Sequence, residues 1–127
     1  MDDKLLFASG SWVINNDGMQ AISKLAEVLE ADEDISILIE GHTDNVPYKG
    51  AGQVKDNWDL SVMRATAVVK AILKNDKIAP SRLSASGRSE YFPIDNNDNA
   101  EARAKNRRTE IILTPKLDEL FQIINQN

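Results

Sequence analysis

Apolar residues in this chain recur with two different periods, and the alternation between them predicts a mixed α/β fold. Residues 4–7 (Lys-Leu-Leu-Phe) form a short apolar run closed by Ser9-Gly10-Ser11, which predicts a first strand. Asn15-Asn16-Asp17-Gly18 then supplies helix-capping side chains. From there Met19, Ile22, Leu25, Ala26 and Leu29 repeat at helical spacing, with Lys24, Glu27 and Glu30 outside the stripe, so a helix is expected over 18–30. Ile35-Ser36-Ile37-Leu38-Ile39 is short and β-branched, as a central strand requires, and it runs into Gly41-His42-Thr43-Asp44. Residues 45–57 contain Pro47, Gly50 and Gly52 without periodicity, which predicts a loop long enough to serve a function.

A second helix is expected from about Asn57–Asp59 to Lys74. Leu60, Met63, Ala67 and Ala71 make its buried stripe, and Val68 and Ile72 widen it. Lys70, Lys74 and Lys77 suit the negative pole of its dipole. Leu83-Ser84-Ala85-Ser86-Gly87 predicts a third strand, residues 88–100 a polar loop, and Thr109-Glu110-Ile111-Ile112-Leu113 the last strand. Leu117, Leu120, Phe121 and Ile124 mark a short amphipathic tail helix. The order β-α-β-α-β-(loop or short helix)-β implies a two-layer α/β sandwich, with helices packed on one mixed four-stranded sheet. The core should span about 4–114, with a helical extension over 115–127.

Length and charge narrow the reading. A chain of 127 residues fits a single domain, 1–127, and 42% hydrophobic residues suffice for one aliphatic core. The net charge of −5 is uneven: residues 1–59 hold 4 Lys/Arg against 12 Asp/Glu, and residues 60–127 hold 11 against 8. That balance opposes a nucleic-acid footprint, the cluster Arg103, Lys105, Arg107, Arg108 being the one local exception. No cysteine is present, so disulfides and thiolate metal sites are excluded. No apolar run approaches the roughly 18 residues that cross a bilayer, and Met1-Asp2-Asp3 begins no signal peptide, so any export signal or membrane anchor is expected upstream of this chain.

The candidate chemistry lies where the second predicted strand gives way to its long loop. Ligands of open α/β sheets bind outside the carboxyl ends of strands, which points to Asp44. The loop delivers the chain to a helix N-terminus, where unpaired N–H groups favour an anion. Arg64 lies one turn past Leu60 and can lean back toward that end. An acid, a guanidinium and oriented amides together suit a zwitterion, an amino-acid head group for example. On charge logic alone, a structural ion pair between Asp44 and Arg64 is the commoner arrangement.

Three separated motifs add a resemblance. Gly41-His42-Thr43-Asp44, then Asn57-Trp58-Asp59-Leu60-Ser61-Val62-Met63-Arg64-Ala65, then Asn106-Arg107-Arg108-Thr109-Glu110-Ile111 resemble the signature of OmpA C-terminal-like domains. That family includes peptidoglycan-associated lipoprotein and the C-terminal domain of the stator protein MotB. Thr43 to Pro47 and Asn57-Trp58 look nearer the MotB-like branch. The resemblance covers residues 5 to 113 and implies a β-α-β-α-β-β fold. It further implies non-covalent binding of peptidoglycan, in which Asp44 and Arg64 clamp the zwitterionic end of meso-diaminopimelate in the stem peptide. Carried over by position, Thr43, Asn57, the backbone N–H of Leu60, and Arg108 complete the ligand set. No cofactor, metal or catalytic residue is implied. The implied location is the periplasmic face of a Gram-negative envelope, with membrane attachment only through residues outside this chain. Homodimerisation, or an assembly module with a vestigial pocket, is the alternative role.

Other residues have plainer readings. His42, the only histidine, stands before a turn and is read as a hydrogen-bonded structural residue rather than a base or metal ligand. Trp58 is expected to cover the core edge, with sugar stacking as its other possibility. Tyr48 and Tyr91 are loop residues that could flank a pocket. Asp95-Asn96-Asn97-Asp98 lacks the regular spacing and closing glutamate of a calcium loop.

Overall fold

The computed structural model describes residues 1–115; the expected tail helix over 117–124 lies outside them. Helix α1 (Asp3–Leu6) and helix α2 (Asn16–Glu30) precede strand β1 (Ile35–His42). Helix α3 (Asn57–Ile72), a 3-10 turn (Pro80–Arg82), strand β2 (Leu83–Gly87), helix α4 (Ala100–Asn106) and strand β3 (Arg108–Pro115) follow. The sheet order is β2-β1-β3. β1 pairs in parallel with β2, Gly41 opposite Gly87, and antiparallel with β3, Glu40 opposite Glu110 and His42 opposite Arg108. The parallel pair needs a crossover, and α3 supplies it.

The sheet has three strands among the described residues, where the sequence predicts four. The run 4–7 is largely helical, not a strand: Phe7 N–H donates to the Asp3 carbonyl, closing one α-turn. Leu6 and Phe7 are adjacent and both buried, whereas a half-exposed strand would bury alternate residues. The strand-like part lies just upstream. Met1 exchanges backbone hydrogen bonds with Thr109, Asp3 N–H donates to the Arg107 carbonyl, and Asp2 forms an isolated bridge with Arg108.

Core packing places both long helices on one face of the sheet. Ile37 and Ile39 of β1 point into a cluster with Leu6, Phe7, Ile22, Ala26, Val68 and Ile72. The Asn15 side chain caps α2 by accepting from Gly18 N–H at 2.7 Å. Helix α3 starts with a reciprocal cap: Asp56 accepts from Asp59 N–H at 2.8 Å, and the Asp59 carboxylate accepts from Lys55 N–H at 2.9 Å.

The buried stripe of α3 is rotated from the expected one. It runs Asn57, Leu60, Ser61, Arg64, Ala65, Val68, Ala71 and Ile72, leaving Met63 and Ala67 half-buried. Hydrophobicity alone cannot assign Asn57, Ser61 and Arg64 inward. Two glycines explain the rotation. A Cβ at Gly41 would run into the Ser61 carbonyl oxygen, and one at Gly87 into the Ser61 hydroxyl. The Ser61 face of α3 therefore lies directly on the ends of β1 and β2, and the first turns of the helix overhang the end of β1.

Candidate functional site

Chain geometry at the end of β1 positions Asp44. Its backbone carbonyl accepts from the Thr43 hydroxyl at 2.9 Å, and its Oδ1 accepts from Val46 N–H at 3.0 Å, an Asx-type turn that starts the 45–56 loop. Asn57, at the first turn of α3, donates to the Val46 carbonyl at 3.0 Å and ties the far end of the loop to its beginning. Tyr48 closes the loop from the other side, donating its hydroxyl to the Gly10 carbonyl at 3.0 Å. Thr43 N–H also donates to Ser89 carbonyl oxygen, and Ser61 Oγ accepts from Ser89 N–H, so the segment after β2 braces the same corner.

Arg64 extends from α3 toward the segment 3–11. Its Nε donates to the Ser11 carbonyl at 2.8 Å and its Nη2 to the Ala8 carbonyl at 3.3 Å, and the guanidinium lies 4.8 Å over the Phe7 ring. Its ionic partner is Asp3, at 3.3 Å. Burial acts to lower the Arg64 pKa, and the Asp3 carboxylate opposes that, holding the charge in place.

Asp44 and Arg64 do not pair with each other. Arg107 Nη1 donates to Asp44 Oδ2 at 2.6 Å, and Arg107 Nε lies 3.5 Å from Asp3 Oδ2, the oxygen that also faces Arg64. The charges thus form a chain, Asp44–Arg107–Asp3–Arg64, along the wall of a cavity of about 710 Å³. Thr43, Asn57, Leu60 and Tyr48 line the same cavity. Five of the six residues expected at the site therefore face one space.

The sixth does not. Arg108 is buried elsewhere, donating to Glu110 at 2.9 Å, to the Asn106 carbonyl at 3.2 Å and to the Phe92 carbonyl at 2.9 Å. Consecutive residues entering a strand point to opposite faces, so the arginine that reaches the cavity is Arg107. The remaining member of that motif, Asn106, is fully buried and holds the 94–97 loop through four hydrogen bonds.

Leu60 needs a second correction. Its N–H is spent on the Asp56 carbonyl at 2.9 Å, so only its side chain is available to the cavity. The positive end of α3 also faces two carboxylates already, Asp56 and Asp59. A bound anion would rely on Arg64 and Arg107 instead. Sequence reasoning missed Asp3 and Arg107; strand parity in the Asn-Arg-Arg run was the one available signal for the latter.

Trp58 neither covers the core nor lines the cavity. It is half-exposed, with its ring centroid 5.5 Å from that of Tyr91. His42 is buried beside Glu40 and Glu110 on the sheet face away from the helices. Its Nε2 is 3.0 Å from Glu40, yet neither ring nitrogen makes a well-directed hydrogen bond. The three side chains are close enough to share a cation, but each carboxylate already carries a guanidinium: Arg88 on Glu40 and Arg108 on Glu110. Charge balance there is met without an ion.

Comparison with known proteins identifies the family and the fold. Residues 6–107 match the OmpA family. Motility protein B of Bacillus subtilis strain 168 is 36% identical over 114 residues, which are 90% of this chain and 43% of that protein. The chain thus spans less than half the length of that relative. The periplasmic domain of Helicobacter pylori MotB superposes with a TM-score of 0.82 at 29% identity, covering 99% of this chain and 89% of that one. The cell wall anchor of the T6SS from Pseudomonas aeruginosa superposes with a TM-score of 0.82 at 32% identity, covering 91% of this chain and 79% of that one.

Proposed function

The chain belongs to the OmpA family, and from that premise we propose that it binds peptidoglycan non-covalently, taking the zwitterionic end of meso-diaminopimelate into the cavity between Asp44 and Arg64. One observation carries the reading. The two charges sit on a common cavity wall with separate internal partners, and do not neutralise each other. The guest ammonium would lie against Asp44 and its carboxylate between Arg64 and Arg107. To reach both guanidiniums, the carboxylate replaces Asp3, whose contacts of 3.3 and 3.5 Å are longer than the roughly 2.7–2.9 Å of a good charge-assisted hydrogen bond.

The arrangement supports holding a ligand rather than cleaving one. Both charges are engaged by counter-ions, and the lone histidine lies on the sheet face away from the helices. A domain of this kind tethers an envelope protein to the wall on the periplasmic side, with attachment to a membrane through residues outside this chain. Affinity for one stem peptide should be about micromolar to millimolar, with repetition along the wall adding avidity. Pull-down on purified sacculi tests the proposal. Asp44→Ala and Arg64→Ala should each abolish retention; normal retention of both variants would show that the site lies elsewhere. Release of soluble fragments from sacculi by the wild-type chain would instead establish hydrolysis.

A further inference from the structure

Charge in the cavity exceeds what a zwitterion can balance. The walls carry five cationic side chains against two carboxylates, in a chain whose net charge is −5. Both carboxylates are already met by Arg64 and Arg107. The surplus is Lys4, Lys49 and Arg103. Among the described residues none of the three has a carboxylate within ion-pair distance, and the one hydrogen bond their side chains make is Arg103 to the Asn97 carbonyl at 3.4 Å. Lys105, on the same short helix as Arg103, does find a partner, Asp95 at 3.5 Å.

These three cations come from separate parts of the chain: α1, the 45–56 loop and α4. Lys4 and Arg103 stand in the last turns of their helices, where the dipole favours a cation, but that does not account for all three facing one cavity. Like charges gathered there cost free energy through mutual repulsion, which an anionic guest would relieve.

The distal end of diaminopimelate is neutral overall, so it leaves this surplus unanswered. The rest of a stem peptide does not. Its γ-linked glutamate keeps a free α-carboxylate, and the peptide ends in another carboxylate at its C-terminus. Resting on the diaminopimelate reading above, we infer that Lys4, Lys49 and Arg103 form a rim that reads these further carboxylates, selecting stem peptides with free acids over their amidated forms. Lys4 and Lys49 are exposed and Arg103 is half-buried, so each contact is weak and screened by salt. Together they should give about a three- to tenfold preference at low ionic strength.

Calorimetry decides it. The full chain is titrated with N-acetylmuramyl-L-alanyl-γ-D-glutamyl-meso-diaminopimelate and with the same peptide amidated at the glutamate α-carboxyl. The acid should bind tighter, by a ratio that shrinks in high salt. In the Lys4→Gln/Lys49→Gln/Arg103→Gln variant the ratio should fall toward one, and Lys49→Glu alone, on an exposed loop, should lower it too. Equal affinities in the wild type, or an undiminished ratio in the triple variant, overturn the rim. If Asp44→Ala still abolishes binding in that case, the diaminopimelate site stands without it. Failure of both peptides to bind the wild type removes the diaminopimelate reading and the rim together.

Discussion

Arg107 grips Asp44 at 2.6 Å although 63 positions separate them, and it does so from the residue where α4 hands over to β3. The contact joins the carboxyl end of the central strand to the start of its antiparallel neighbour. It also leaves Arg64, the other large charge of the cavity, to Asp3. Each charge therefore has a counter-ion that a guest can displace or share.

Arg107 and Arg108, adjacent in sequence, should separate into different phenotypes. Arg107→Met should weaken muropeptide binding at least about tenfold, since a charge-assisted contact contributes roughly 1.5–3 kcal/mol. Arg108→Met should instead lower the melting temperature, because it strands the Phe92 and Asn106 carbonyls and frees Glu110. Calorimetry and thermal melts on both variants would show the split. The reverse assignment of effects would mean that the strand faces are misread.

Asp3 is an internal competitor for the guest carboxylate. Asp3→Ala should make the free protein less stable, since buried Arg64 loses the charge that offsets its desolvation. The same change should raise affinity for a diaminopimelate peptide, so that saturating ligand recovers more melting temperature in the variant than in the wild type. A loss of affinity would show that Asp3 orients the guanidiniums instead of competing for them.

His42 gives the fold a pH dependence with a definite sign. Burial first, then the Arg108 charge, lowers its pKa below the ordinary 6.5, with Glu110 and Glu40 opposing. The unfolded chain therefore takes up this proton more readily than the folded one. The stability linked to His42 is present above the unfolded value and is lost as pH falls through it toward the folded value. Urea midpoints should decline from about pH 7 to about pH 5, and His42→Gln should flatten that decline. Glu110, held below its ordinary 4.5 by Arg108, adds its own loss only at more acidic pH. An unchanged slope in His42→Gln would assign the effect to other groups.

Gly41→Ala should be among the most damaging small substitutions in the chain. The new methyl meets the Ser61 carbonyl, which is backbone and cannot rotate away. Overpacking of this kind costs about 1–3 kcal/mol, and relief requires α3 to lift from the strand ends. Muropeptide affinity should fall along with the melting temperature, because Asn57, Leu60 and Arg64 ride on that helix. A variant with wild-type stability would show that the close helix–strand approach is dispensable.

Local pattern was enough to determine the central elements. Helical spacing from Met19 to Leu29, the β-branched run at Ile35–Ile39 and the closing run at Thr109–Leu113 each carry their period in contiguous residues, and each appears as expected. Asp44 and Arg64 were legible too, because a strand end and a helix start are local events that place side chains at a predictable corner. What needed the tertiary structure were choices made between distant segments. Residues 4–7 became helical because the pairing with the start of β3 is made by residues 1–3, and nothing within the run itself encodes that partner. The stripe of α3 turned toward Arg64 because two glycines in other elements let Ser61 approach. Arg107 rather than Arg108 reached the cavity because strand register sets which face each residue takes. Periodicity reports a residue's neighbours along the chain, but the partner of a buried charge is set by packing across it.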